Sequence, residues 1–120
     1  MKKLSIALVV MLLCGALAMA GTAVARGKAA STVTIRYNGD GFRGKVKSSR
    51  ARCVKNRTVK VYKQKGASQN RSADTKLFKE TTDSEGRWDT GNSGPAHGKF
   101  YAFAKGTSVC KRAFSKTIKV

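Results

Sequence analysis

The chain has 120 residues, with 25 Lys or Arg against 6 Asp or Glu and a formal net charge of +19. A chain of this length holds one small domain, and small domains bury only about 60% of their unfolded surface, so they often depend on cross-links. One histidine and six acids supply little material for paired carboxylates or a metal cluster, which argues against a catalytic function.

Residues 1–25 have the three-part pattern of a secretory signal peptide. Two lysines precede an apolar run from Leu4 to Leu17, and small residues follow that run. A-x-A sites end at Ala20 and at Ala25, and we predict cleavage after Ala25. The protein is therefore expected to be secreted, periplasmic or held at the cell surface.

The same segment has two alternative interpretations. If it is not cut, the uncharged stretch 4–25 is long enough to cross a bilayer and would form an N-terminal membrane anchor. Cys14 could be a lipidation site, but Leu12 and Leu13 precede it. Bacterial lipoprotein signals resemble a pattern with a small residue directly before the cysteine, so we favour cleavage.

The rest of the chain divides into a short linker, residues 26–31, and one domain, residues 32–120. The domain carries two cysteines, Cys53 and Cys110. In a small exported domain, an even pair of cysteines predicts a disulfide bond. The alternatives are a metal site, which lacks partner ligands, and a reactive thiol, which lacks a nearby histidine.

The first half of the domain contains three predicted strands. Residues 32–37 alternate between apolar and polar side chains, and the sequence NGDG at 38–41 then predicts a tight hairpin connection. Residues 42–48 alternate again. After a turn-rich connection, the stretch 57–63 places Val59 on the same side as Val61, and a polar loop follows over 64–74.

Four further strands are predicted in the second half. Residues 75–81 have an ambiguous phase because Leu77 and Phe78 are adjacent, and a short strand surrounds Trp88. Residues 99–105 are apolar on both phases, so this strand is expected to be central and covered on both sides. The last strand is predicted over 114–120.

The last predicted strand contains a misfit. Phe114, Ile118 and Val120 share one phase, but Lys116 falls on that phase too, which a bulge or an edge position would explain. No stretch of the domain shows helical spacing. About seven short strands separated by turns predict an all-β fold, a seven-stranded antiparallel β-sandwich.

Several of these stretches resemble carboxypeptidase-regulatory-like and transthyretin-like domains, over roughly residues 32–105. That family shows a G-x-V step, a V-x-V strand, a T-D-x-x-G-x-aromatic turn and a G-x-aromatic strand. The corresponding residues here are Gly44 with Val46, Val59 with Val61, Asp83 with Gly86 and Trp88, and Gly98 with Phe100.

The resemblance implies a seven-stranded, prealbumin-like (Ig-like) sandwich that serves as an accessory, adhesive or binding module outside the cytoplasm. It implies no shared catalytic site and no cofactor. The cysteine pair departs from the general pattern and is similar to a variant found in small exported bacterial proteins. We therefore expect a binding or structural module and not an enzyme.

The charge is the strongest functional signal in the sequence. Residues 43–65 contain ten Lys or Arg and no acid, yet their spacing on predicted strands makes them a solvated face rather than a tail. A strong positive potential attracts polyanions. The predicted polyanion-binding residues all lie on outward phases, and they are Arg43, Lys45, Lys47, Lys60, Arg36 and Lys119.

The partners expected from this charge are all extracellular polyanions. They are acidic polysaccharide, lipopolysaccharide or teichoic acid, anionic lipid and extracellular DNA bound without base specificity. Tyr62 is the one aromatic residue among the predicted cations, and no recognition helix or stacking series is visible. The alternative is a surface that is basic for solubility and binds nothing specific.

Other candidate chemistry is weaker. His97 in a glycine-rich loop is the one candidate for a general base in a loop-based hydrolase or inhibitor. Asp83 and Glu85 could be imagined in a calcium loop, but calcium needs six to eight oxygens and Arg87 is adjacent, so we predict a turn. The sequons at Asn56 and Asn70 are interpreted as incidental.

Overall fold

The structure is a computed structural model that describes residues 27–120, and in this range it is all-β with two antiparallel sheets. The predicted signal peptide and its cleavage site lie outside the described residues. Ala29 forms a bridge with Cys110, and the first strand begins at Ser31. The ordered fold therefore includes part of the segment predicted as a linker.

The first sheet is built around one long strand. Strands β1 (Ser31–Val33) and β2 (Arg36–Tyr37) both pair with β3 (Phe42–Ser48), at its two ends. A later strand, β6 (Arg87–Asp89), also pairs with β3. The NGDG segment makes the turn between β2 and β3, with Asn38 Oδ1 accepting from the backbone nitrogens of Asp40 and Gly41.

The second sheet has five strands. β4 (Thr58–Gln64) lies between β5 (Thr75–Thr81) and β7 (Lys99–Ala104). On its other side β7 pairs with two short strands, β8 (Ala113–Phe114) and β9 (Ile118–Lys119). A 3-10 turn, Ala51–Cys53, connects the two sheets between β3 and β4.

The nine strands differ from the predicted seven because the first and last predicted strands are each interrupted. The chain breaks between β1 and β2 at Thr34, whose Oγ1 accepts from the backbone nitrogen of Lys45. It breaks again at Ser115, whose Oγ accepts from Ala102 N. Such side-chain bonds replace ladder bonds and locally end the regular strand.

The second break corrects the predicted phase of the last strand. Phe114 was expected to lie on the side of Ile118, but it points to the outer face, with 41% of its surface exposed. Ala113 packs into the core in its place. Lys116 falls in the interruption between β8 and β9, so its apparent misfit disappears.

The core lies between the inner faces of the two sheets. Phe42 of β3 contacts Phe100 of β7, with ring centroids 4.8 Å apart. The other buried apolar side chains come from both sheets, and they include Val33, Val46, Trp88, Val59, Val61, Ala102, Ala104 and Ala113. Burial of this apolar surface is the main driving force for packing the sheets.

Glycine is required at two positions where strands approach closely. A Cβ at Gly44 would lie 1.9 Å from Thr34 O and 2.8 Å from Trp88 Cζ2. At Gly86 the backbone has φ +83°, and a Cβ would lie 2.2 Å from Val46 O. Both glycines allow β3 to sit close against its neighbours while Trp88 fills the core.

The predicted disulfide joins Cys53 to Cys110, with the two Cα atoms 5.5 Å apart. Both cysteines are buried, and they pack with Ala29 and Val109 in a small cluster separate from the main core. The bond ties the connection after β3 to the connection before β8, across 57 residues of sequence. A buried structural disulfide is consistent with an oxidising compartment outside the cytoplasm.

Arg57, directly before β4, is buried beside this disulfide. Its Nη1 donates to Cys53 O and Ser31 Oγ, both at 2.8 Å. Its Nη2 donates to Lys105 O and Lys111 O, both at 3.0 Å, and its Nε also donates to Lys105 O. All five bonds go to neutral oxygens, and desolvation lowers the pKa of this guanidinium. Arg57 thus joins four segments of the chain at one point.

Candidate anion-binding faces

The outer face of the first sheet carries the longest predicted row of cations. Arg43, Lys45 and Lys47 alternate along β3 with the buried Phe42 and Val46, so their side chains point to solvent. The register places Arg36 opposite Arg43 and Arg87 opposite Lys45. We call these five cations, Arg36, Arg43, Lys45, Lys47 and Arg87, the Arg43 face.

Acidic residues partly neutralise the Arg43 face. Arg43 Nη2 lies 3.7 Å from an Asp89 carboxylate oxygen, and Arg87 contacts both Asp83 and Glu85. All of these side chains are at least one third exposed, so each pair contributes little stability. They nevertheless place three negative charges next to two of the five cations.

A groove of about 660 Å³ opens on this face. Arg36, Arg43, Lys45 and Arg87 line it together with the carboxylates of Asp83 and Asp89 and with the edge of Trp88. A lining of this kind can both donate and accept hydrogen bonds.

The outer face of the second sheet has a different composition. Lys79, Lys60, Phe103 and Phe114 are consecutive partners across β5, β4, β7 and β8, so they form one row on one side of the sheet. Lys76, Tyr62 and Tyr101 form the neighbouring row. We call this surface the Lys60 face, defined by Lys60, Lys76, Lys79, Lys105 and Arg71 with the aromatic side chains beside them.

The cations of the Lys60 face lie near one another, because Lys60 pairs with Lys79 across adjacent strands and Arg71 stacks on Phe103 in the same row. Desolvation and then repulsion from Lys76, Lys105, Lys79 and Arg71 lower the pKa of Lys60. In the described part of the chain, none of these five cations forms an ion pair, and the carboxylate on the same face, Asp74, is hydrogen-bonded to Tyr101.

The loop between β4 and β5 packs over part of the Lys60 face. Asp74 accepts a hydrogen bond from Tyr101 Oη at 2.6 Å and others from the backbone nitrogens of Lys65 and Asn70. These bonds, led by the one from Tyr101, lower the pKa of Asp74. Burial first and then the Asp74 carboxylate raise the pKa of Tyr101. The hydrogen bonds of Asp74 therefore attach the loop to β7.

The loop also places a guanidinium over the aromatic row. The Cζ of Arg71 lies 3.8 Å from the Phe103 ring centroid and 5.7 Å from that of Phe114. Arg112, the residue before β8, has its Cζ 5.6 Å from the Phe114 ring centroid. Stacked guanidinium groups keep their N–H donors available at the ring edge. Phe114 is therefore an exposed aromatic ring flanked by two cations.

The predicted binding residues do not form one site. Arg36, Arg43, Lys45 and Lys47 lie together on the Arg43 face. Lys60 and Lys119 lie on the second sheet, whose outer face points away from the first. Lys119 lies opposite Lys99, at the far end of β7 from the partners of Lys60.

Sequence reasoning missed the Lys60 face because its members come from four strands and a loop. Lys79 and Lys76 belong to the strand whose phase was ambiguous, and its register shift opposite Val61 and Tyr62 explains that ambiguity. Phe114 lies on the opposite side of the sheet from the one its phase predicts. Only the cross-strand register could have revealed the row.

The other candidate sites from the sequence are the turn at Asp83, the histidine His97 and a metal site. Asp83 forms the predicted turn, with Oδ1 accepting from the backbone nitrogens of Glu85 and Arg87, and the Arg87 bond is the main cause of its lowered pKa. His97 lines a cavity of about 270 Å³ with mainly apolar walls. Within residues 27–120, no group of three or more His, Cys, Asp or Glu side chains is placed to hold a metal ion.

None of the helical segments in residues 27–120 has the length and apolar character needed to span a membrane. Comparison of the chain with protein-family models, with curated proteins and with solved structures gave no match.

Proposed function

We propose that the chain is an exported, disulfide-linked β-sandwich module that binds extracellular polyanions and has no catalytic function. One observation carries this proposal. Among the lysines and arginines of residues 27–120, only Arg43 and Arg87 make ion pairs. The remaining cations must take their counterions from solution, and a polyanion that displaces those counterions gains affinity from their release.

We also propose that the domain belongs to the carboxypeptidase-regulatory-like and transthyretin-like group. Its nine short strands would then occupy the seven strand positions of a prealbumin-like sandwich. The split strands support this arrangement, since their registers place β1 and β2 along one edge of β3, and β8 and β9 along one edge of β7. Residues of the resembling motifs have structural roles, such as Gly44 and Gly86 at close approaches. Motifs of this kind support a fold and carry no chemistry.

The partner classes are those that exist outside the cytoplasm: acidic polysaccharide, lipopolysaccharide or teichoic acid, anionic lipid and extracellular DNA. Export by an N-terminal signal peptide is part of the proposal, and the buried Cys53–Cys110 bond supports it because such bonds persist in oxidising compartments. The Arg43 and Lys60 faces provide two basic surfaces on opposite sides of the sandwich.

Elution in a salt gradient tests the proposal. Protein recovered from the exported fraction of an expressing cell is applied to heparin, DNA and neutral-sugar matrices, and its mass reports whether residues 1–25 have been removed. We expect retention on the anionic matrices to salt well above physiological concentration and none on the neutral sugar. Early elution from all three matrices would contradict polyanion binding and indicate a basic surface that is only solvated.

A further inference from the structure

The Lys60 face combines two properties that one soluble polyanion does not require. It has five neighbouring cations, and at the end of the same cross-strand row it has Phe114, 41% exposed. A sulfated or phosphorylated polymer would pair with the lysines and gain little from an aromatic ring. The ring gains free energy from an apolar environment or from stacking on an unpaired base, and double-stranded DNA offers neither at its surface.

An anionic lipid surface supplies both kinds of contact. Aromatic side chains settle at the boundary of head groups and acyl chains, while lysines and arginines pair with lipid phosphates. Each Lys or Arg near an anionic leaflet contributes about 1 kcal/mol of attraction. Arg71 and Arg112, at 5.7 and 5.6 Å from the Phe114 ring centroid, would pair with lipid phosphates beside the ring.

The layout of the cations also fits a surface better than a chain. Lys60 and Lys79 are direct partners on adjacent strands, while Lys76 belongs to the next row. Adjacent strands lie about 4.8 Å apart, so these side chains form a two-dimensional array. A bilayer presents its phosphates in two dimensions, whereas a linear polyanion presents them along one.

We propose that the Lys60 face, with Phe114 at its edge, is a docking surface for an anionic lipid bilayer, bound peripherally. This inference rests on the proposed polyanion binding and names its partner. The Arg43 face, with its acids and its groove, takes no part in the contact. The protein lies on the membrane surface with the outer side of the second sheet toward the lipid.

Paired variants of exposed apolar residues test the inference. Phe114→Ala removes the ring, and Leu77→Ala is a matched control because Leu77 is 38% exposed and lines the His97 cavity with Phe42 and Phe100. Binding is measured by co-sedimentation with vesicles of phosphatidylglycerol and phosphatidylcholine. We expect Phe114→Ala to lower the vesicle affinity about five- to tenfold and to leave heparin elution unchanged, while Leu77→Ala changes neither.

Paired charge variants test which of the two basic faces contacts the lipid. Lys60→Gln with Lys79→Gln and Lys45→Gln with Lys47→Gln each remove two charges, from opposite sides of the sandwich. We expect the first pair to lower the vesicle affinity about tenfold and the second to lower it less than threefold. Equal losses from the two pairs would overturn the assignment of the Lys60 face.

A fluorescent variant tests the same contact in case Phe114→Ala does not fold. In Phe114→Trp the new indole replaces the exposed ring, while Trp88 is buried at 3% exposure and gives a constant background. We expect a blue shift of emission with anionic vesicles and none with heparin. Absence of the shift, with heparin retention intact, would overturn lipid docking and leave polyanion binding standing. If the wild type binds neither anionic vesicles nor heparin, both proposals are overturned.

Discussion

Arg57 donates a hydrogen bond from Nη1 to the carbonyl oxygen of Cys53 at 2.8 Å, so a buried cation is attached directly to one half of the disulfide. The same guanidinium donates to Lys111 O, next to the other cysteine. Arg57 and the Cys53–Cys110 bond therefore stabilise the same end of the sandwich by independent means. One acts through hydrogen bonds in the folded state, and the other acts mainly on the unfolded chain.

Replacement of Arg57 by methionine should destabilise the oxidised protein by about 3 kcal/mol. The change leaves Cys53 O, Lys105 O and Lys111 O without their side-chain donor in a buried site. The free energy of unfolding is measured in urea. Arg52→Met is the matched control, since Arg52 is exposed in the same connection, and it should change stability by less than about 0.5 kcal/mol. Equal effects of the two variants would contradict the role given to Arg57.

Reduction of the Cys53–Cys110 bond should lower the free energy of unfolding by roughly 4 kcal/mol, because it frees a loop with a sequence separation of 57. Melting curves are compared with and without reductant, and the double variant Cys53→Ser with Cys110→Ser should match the reduced protein. A melting temperature that does not change on reduction would remove the disulfide as a source of stability.

Acid should weaken the attachment of the β4–β5 loop. Hydrogen bonds from Tyr101 and from the backbone nitrogens of Lys65 and Asn70 lower the pKa of Asp74. A lowered pKa in the folded state gives stability that is present above the unfolded pKa, about 3.9, and is lost as the pH falls through the lower folded value. The melting temperature should therefore fall as the pH is lowered below about 4.

Asp74→Asn isolates this contribution. The variant cannot bind a proton at this position, so its melting temperature should depend less on pH below 4 than that of the wild type. Asp40→Asn is a suitable control, because Asp40 is an exposed acid in the β2–β3 turn. Identical pH profiles for Asp74→Asn and the wild type would show that Asp74 does not carry the acid sensitivity.

Gly44→Ala should destabilise the domain by about 2–3 kcal/mol, because the added methyl group must displace Thr34 O or the Trp88 ring. Gly66→Ala, at a site where a Cβ meets no atom within 4 Å, should be close to neutral. Both are measured by denaturant unfolding, with Trp88 fluorescence as the signal. A neutral Gly44→Ala would show that the close approach of Thr34 and Trp88 to β3 is not required.

Local patterns predicted much of this fold. Strict alternation predicted β3 at residues 42–48, and the NGDG segment predicted the hairpin before it, because both signals depend only on neighbouring residues. The stretch 75–81 likewise corresponds to β5. The cysteine count predicted the disulfide, since only one pairing was open to the domain. The apolar strand at 99–105 was correctly expected to be covered on both sides, by the core and by the β4–β5 loop.

Long-range contacts account for what the sequence could not predict. Arg57 is a charged residue of a type usually found on the protein surface. Nothing near it in sequence shows that the carbonyl oxygens of Lys105 and Lys111 will accept hydrogen bonds from it. The side of the sheet taken by Phe114 depends on a break at Ser115, which a bond to Ala102 stabilises. The division of the cations between two faces depends on strand order, which alternation does not determine.

The most direct test of the central claim is the salt dependence of heparin binding. The association constant of the exported protein is measured by titration between 50 and about 400 mM salt, with neutral dextran as the control ligand. Binding through several unpaired cations predicts that log K falls linearly with log salt, with a slope of magnitude about 3 or more, and that dextran does not bind. A slope near zero, or equal binding to dextran, would contradict the account of this domain as a module for polyanions.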